Sequence, residues 1–154
     1  MSDRQPRQIR IVRPGEVPTL NVLGAGVRFL CEAETTDGAF SVMDNELPLG
    51  AGPPPHRHDW DEAYYLISGA VDFVLDGKAM RVEAGSFLYA PAGTLHGFSG
   101  ASPEPAHMLV IDAPAHAAAF FREVDRVVAG PEDLSRVPAI GDAHGIHFVA
   151  PGDG

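Results

Sequence analysis

The stretch that decides the fold is Gly50-Ala51-Gly52-Pro53-Pro54-Pro55-His56-Arg57-His58-Asp59-Trp60-Asp61-Glu62-Ala63-Tyr64-Tyr65-Leu66-Ile67-Ser68-Gly69. His56 and His58 stand two apart, so in an extended strand both side chains leave the same face. In a straight strand rising ~3.3 Å per residue, Glu62 would lie about 13 Å beyond His58, too far to share an ion. The chain must bend at Asp59-Trp60-Asp61, where the two Asp residues supply turn chemistry. Bent there, Glu62 opens the next strand and can face back toward both histidines.

A fourth candidate group lies downstream, in Gly85-Ser86-Phe87-Leu88-Tyr89-Ala90-Pro91-Ala92-Gly93-Thr94-Leu95-His96. Pro91 presets φ and Gly93 can take a left-handed conformation, so this turn reverses the chain and starts a strand carrying His96. Three imidazoles and a carboxylate make a donor set of borderline character, suited to iron(II), nickel, manganese, copper or zinc. Glu62 is also the candidate proton acceptor, because a carboxylate can rotate away and take a substrate proton.

Working outward, short strand-like segments are expected at about 9–13, 18–23, 27–35, 39–47, 54–58, 62–68, 70–76, 78–83, 86–90, 95–99 and 106–112. Glycine and proline fall between them as turn punctuation, the pattern of an all-β sandwich or closed barrel. Asp76-Gly77 reads as a type I′ hairpin turn, and Ser68-Gly69 is expected to join the preceding strand in the same way. After Pro114, Phe120, Phe121, Val124, Val127 and Val128 recur at helical spacing, which predicts a helix over about 115–128 that stops at Gly130-Pro131. A shorter helix is expected near 131–137 and a last strand at 145–149. Residues 1–8 and 151–154 read as loose ends of a single domain spanning about 9–150, with the barrel proper at about 38–113.

Composition bounds the function. With 11 Lys and Arg scattered against 21 Asp and Glu, the net charge of -10 argues against a nucleic-acid surface. Cys31 is the sole cysteine, which excludes an internal disulfide and thiolate zinc sites, and it reads as a small buried hydrophobe. Met1 to Gln8 lacks the apolar core of a secretory signal, and no apolar run approaches the ~20 residues that span a bilayer. The expected location is therefore the cytoplasm, with no membrane partner.

The two ligand-bearing segments together resemble the cupin family. Its first motif, Gly-x5-His-x-His-x3-Glu-x6-Gly, is matched by Gly50, His56, His58, Glu62 and Gly69. Its second, Gly-x5-Pro-x-Gly-x2-His-x3-Asn, is matched by Gly85, Pro91, Gly93 and His96, with Gly100 standing in place of the final Asn. The resemblance implies a double-stranded β-helix, or jelly roll, of six to ten strands with one divalent metal ion near an open end, held by His56, His58, Glu62 and His96. It also implies a homodimer, and it makes the segment after Pro114 similar to the helix that follows the barrel in small quercetin dioxygenase-like cupins.

Around this centre, Tyr64 and Leu66 share the strand parity of Glu62 and should point into the barrel, as should Phe73; Phe98 shares the face of His96. These residues can be read as an apolar substrate pocket or as ordinary barrel core. Trp60, in the bend, is placed near the mouth, as a lid or a dimer contact. His107 reads as a plain strand histidine or an acid–base group, and His116, His144 and His147 as solvated residues. Asp59 and Asp61 read as turn formers. The leading expectation is a metal-dependent dioxygenase acting on a small enolic or phenolic compound. A non-oxidative cyclase, isomerase or decarboxylase, and a metabolite-binding module without catalysis, are the alternatives.

Overall fold

Alternation of buried and exposed residues runs through nearly every strand of the protein, and it dictates two sheets with a shared interior. A computed structural model describes residues 6–149. The strands are β1 (Leu20–Val22), β2 (Ala25–Cys31), β3 (Ser41–Leu47), β4 (His56–Arg57), β5 (Asp61–Ser68), β6 (Ala70–Leu75), β7 (Lys78–Glu83), β8 (Phe87–Ala90), β9 (His96–Gly100), β10 (Ala106–Ala113) and β11 (His147–Phe148). One sheet has the order β1-β2-β3-β10-β5-β8 and the other β11-β4-β9-β6-β7, with every strand pair antiparallel. From β3 to β10 the chain steps back and forth between the sheets, which is the jelly-roll path.

Inward-facing side chains of the two sheets meet in an apolar core. Tyr64 of β5 packs edge-on against Phe73 of β6 at 5.1 Å between ring centroids, and Phe98 of β9 lies 5.5 Å from Phe73. Leu66, Met108 and Val71 are fully buried beside them. Truncating one such residue, as in Leu66→Ala, is expected to cost about 2–5 kcal/mol through lost burial and an unfilled cavity.

The turns follow local chemistry. Asp76 and Gly77 both have positive φ, 48° and 85°, and close the β6–β7 hairpin with Leu75 opposite Lys78. Ser68-Gly69 differs from expectation: β5 and β6 belong to different sheets, so this is a corner. Gly69 (φ 81°) packs so tightly there that a Cβ would lie 2.9 Å from the Ala106 backbone. At Gly100, where the resembled motif has Asn, a Cβ would sit 2.3 Å from the Pro48 carbonyl oxygen, so only glycine fits.

Other departures have physical causes. The strand expected at 9–13 does not form: Ile9 and Ile11 are 96% and 66% exposed. The segment meets the sheet through Arg10, whose Nε donates to the Leu30 carbonyl of β2 at 2.8 Å, while the Asn21 N–H of β1 donates to Asp125 of α2 (Ala118–Val127) at 2.7 Å. The strand expected to run to residue 35 ends at Cys31, and Ala33–Thr36 forms a helical turn, α1. Glu32 and Thr35 cap that turn reciprocally, which favours helix over a longer strand. The long helix begins at Ala118, three residues later than expected. The shorter one is a 3₁₀ turn, Pro131–Arg136, running directly into α3 (Val137–Ala143). Residues 1–5 and 150–154, including most of the expected loose ends, lie outside the described residues. Among the described residues no helix is long and apolar enough to cross a membrane.

Candidate metal centre

The site is assembled from one end of both sheets. Glu62 of β5 lies opposite Asp112 of β10 in the first sheet, and His56 of β4 lies opposite His96 of β9 in the second. His58 follows β4 and is carried into the bend at Asp59–Trp60. That bend is tied to the Pro91–Gly93 turn: the Gly93 N–H donates to the His58 carbonyl at 2.9 Å, and the Ala92 N–H donates to Asp61 at 2.9 Å. The two sequence motifs therefore hold each other in register.

All five side chains are buried. His56 and His58 lie 4.3 and 4.7 Å, centroid to centroid, from the His96 ring. Candidate ligand atoms of the three histidines lie within 4.8 Å of one another, and the same holds for His58, Glu62 and Asp112. Glu62 Oε2 bridges the groups, 2.6 Å from His58 Nε2 and 3.2 Å from His96 Nε2.

Each imidazole is oriented by the same device. Nδ1 sits at hydrogen-bond distance from a nearby carbonyl oxygen: Pro54 for His56 (2.8 Å), Trp60 for His58 (3.1 Å) and Thr94 for His96 (2.8 Å). A carbonyl only accepts, so Nδ1–H must donate, and Nε2 of a neutral ring is left as a lone pair facing inward. His96 Nε2 has no hydrogen-bond partner although it is fully buried. A lone pair of His58 only 2.6 Å from a carboxylate oxygen needs a proton or a cation between the two. Three inward lone pairs, that of His96 orphaned, and one carboxylate are the donor chemistry of a divalent-ion site.

Charge and burial shift the titrating groups in opposite senses. His56 is lowered to about 3, first by burial and then by neighbouring His96, so it stays neutral. Burial pushes Glu62 upward, but His58 and His96 outweigh it and hold the carboxyl well below its usual range. Burial likewise lowers His96, yet the adjacent Glu62 carboxylate raises it overall. Asp112 is driven well above the ordinary carboxyl value by burial and then by the charge of Glu62. Tyr64, next to both acids, is raised for the same reasons.

Beside the cluster lies a cavity of about 40 Å³, bounded by His56, His58, Glu62 and Asp112 and otherwise mostly apolar. Of the aromatic and aliphatic candidates, Trp60 and Phe98 line it, whereas Tyr64, Leu66 and Phe73 are core beneath it. Trp60 is buried: it stacks on His58 with rings 4.1 Å apart and 6° from parallel, and its Nε1–H donates to Asp112 at 3.2 Å. It forms wall where a lid or dimer contact was expected. His107 lies away from the site, 3.5 Å from Asp44, and His144 and His147 pair with Glu123 and Asp142. His116 approaches the outer edge of Trp60 at 5.7 Å between ring centroids.

Sequence reasoning missed Asp112 and Asn45, and it predicted α2 without placing Phe120 and Phe121 over the cavity, which they roof with Ile146 and Phe148. The parity of β10 carried a signal for Asp112, since Met108, Val110 and Asp112 share one face and the first two are core.

Two antiparallel sheets closing on a buried imidazole–carboxylate cluster define a small cupin barrel. Residues 44–112 match the family described as cupin domain. Over 72 residues, 46% of this chain, the protein is 32% identical to quercetin 2,3-dioxygenase of Bacillus subtilis (strain 168), but it spans only 21% of that relative's length. It is 31% identical over 91 residues, 59% of this chain, to uncharacterized protein SCO3923 of Streptomyces coelicolor, covering 81% of it. Among solved structures, the polyketide cyclase RemF from Streptomyces resistomycificus shares the fold at a TM-score of 0.61 and 22% identity, over 69% of this chain and 80% of that one. The chain belongs to the cupin family.

Proposed function

We propose that this cupin is a metal-dependent enzyme, acting as a dioxygenase on a small enolic or phenolic compound of flavonol- or polyketide-like character. The observation that carries the reading is the convergence of three preset imidazoles and one carboxylate at the wall of a cavity that is otherwise mostly apolar. His56, His58, Glu62 and His96 would hold one divalent ion, with iron, nickel, manganese, copper and zinc all compatible with the donors. When bound, such an ion supplies Lewis acidity toward a substrate hydroxyl and, if redox-active, electron transfer to dioxygen.

The chain's own groups do the rest. Glu62 accepts the hydroxyl proton as it turns from the ion, while burial and the charge of Glu62 favour the uncharged form of Asp112, which limits negative charge at that end of the cavity. Phe98, Phe120 and Val110 exclude water from a reactive ring. The closed cavity is far smaller than the ~300–1,000 Å³ of typical ligand pockets. Leu23 and Phe148 also line a groove of about 790 Å³ outside it, and their separation would admit a ligand from that groove.

The resemblance to quercetin 2,3-dioxygenase over the motif region supports the oxidative reading. Oxygen uptake tests it, with metal-free protein reloaded in turn with iron(II), nickel, manganese and zinc and then offered flavonols. Uptake is expected with a redox-active ion and not with zinc, and Glu62→Gln should suppress it. No uptake with any ion would reject dioxygenase chemistry.

The Glu62–Asp112 pair favours a second reading, non-oxidative cyclisation, isomerisation or decarboxylation, because one charged and one protonated carboxyl side by side form an acid–base couple. Turnover without oxygen, or with zinc, would select it.

A further inference from the structure

Asn45 is a polar side chain in an apolar row. It lies on the inward face of β3 between Met43 and Leu47, opposite Val27 of β2 and Met108 of β10, and all four of these are buried. Asn45 itself is 3% exposed, and its Oδ1 has no hydrogen-bond partner. A buried amide oxygen left unpaired is a net cost to folding, and an apolar residue of similar shape would remove that cost. The amide borders the same cavity as His56, His58 and Glu62. That cavity has no Lys or Arg in its lining among the described residues, and its only acids are Glu62 and Asp112.

We infer that Asn45 is the specificity-determining residue of the cavity, holding a hydroxyl or carbonyl of a neutral ligand whose enolic end addresses the His56–His58–Glu62–His96 cluster. The inference rests on the function proposed above and narrows its substrate class. An amide offers two donors and one acceptor without charge, so it reads a neutral polar group and discriminates against an analogue that lacks it. Beyond the proposed ion, a lining without Lys or Arg offers no cationic side chain to a phosphate or a second carboxylate, which disfavours phosphorylated sugars and dicarboxylates. The favoured ligand is an uncharged ring compound with a chelating enol or phenol at one edge and a second hydroxyl or carbonyl at the other.

The test uses full-length protein loaded with zinc, so that nothing is oxidised, and isothermal titration with two probes. Kojic acid and allomaltol carry the same chelating group and differ by one hydroxyl across the ring. Wild type is expected to bind kojic acid up to about tenfold more tightly, the scale of one neutral hydrogen bond. Asn45→Leu and Asn45→Ala should erase that preference. The ratio between probes is insensitive to a general loss of packing, and the smaller Ala variant guards against Leu simply filling the space. Equal binding of both probes by wild type, or a preference kept in both variants, would overturn the inference. If neither probe binds wild type, the proposed chelating substrate fails first, and the role of Asn45 fails with it.

Discussion

The two sheets contribute to the centre in different ways. The second sheet supplies His56 and His96, each pinned through Nδ1 to a backbone carbonyl, and His58 beside them is pinned likewise. The first sheet supplies Glu62 and Asp112, which contact mainly other site side chains, and Asp112 Oδ2 has no partner. One side of the centre is fixed before anything binds. The other is held through side-chain contacts, and in the proposed function it carries the proton. A binding site that also performs proton chemistry needs both, because rigid donors set affinity while a movable carboxyl can change partners.

This contrast is open to direct attack. The largest effect is expected from removing a pinned imidazole. His96→Ala should lose more than about 100-fold in metal affinity, beyond the 10–100-fold typical of supporting partners. Glu62→Gln should retain a measurable fraction of the ion after dialysis. Elemental analysis of the two variants side by side measures the difference, and equal losses would erase the distinction between the sheets.

Trp60→Phe comes next. It keeps a ring that can stack on His58 but removes the Nε1–H donated to Asp112, a hydrogen bond that ties the ring stacked on His58 to the acid pair. A weakening of about tenfold in metal affinity is expected from the loss of an orienting partner. Competition against a chromogenic chelator reads it.

Asp112→Asn acts on stability in the opposite direction. Burial and Glu62 raise the Asp112 carboxyl, so the fold favours its uncharged form. For a raised acid, that contribution is intact below the unfolded value of ~3.9 and is lost as pH climbs toward the folded value. The metal-free variant should therefore melt higher than wild type at neutral pH, at about 2–4 °C for each kcal/mol recovered. The gap should close near pH ~4. Thermal unfolding across that range measures it, and a lower melting temperature for the variant at neutral pH would show that Asp112 is needed as an ion. Smallest of all, His107→Gln, on the outer side of β10 near Asp44, should shift stability by no more than about 0.5 kcal/mol and leave metal affinity unchanged.

The sequence made the three pinned imidazoles and Glu62 readable and left Asp112 obscure. Histidines two apart in a strand, an acid after a bend, and a Pro-x-Gly turn before a third histidine are local signals, and the structure brings those four side chains together. The parity of β10 turns Asp112 inward, but its place beside Glu62 required knowing that β10 pairs with β5, a register between distant segments. The roof was half visible: helical spacing predicted α2, but spacing does not say which surface Phe120 and Val124 will cover. Ile9 and Ile11 alternate like strand residues and still stay exposed, because alternation alone does not supply a neighbouring strand.

The two-residue strand β11 has a consequence for how the protein handles traffic. Phe148 closes the cavity from above, 5.3 Å from the His56 ring, and its strand hydrogen-bonds to β4, which carries His56. β4 has only β9 as its other neighbour. Lifting the roof to admit a molecule therefore strips one flank from the strand that presents a metal donor. Under the proposed function, admission of a ligand and retention of the ion would be mechanically linked, so solution conditions that hasten ligand exchange should also speed the loss of a loaded ion.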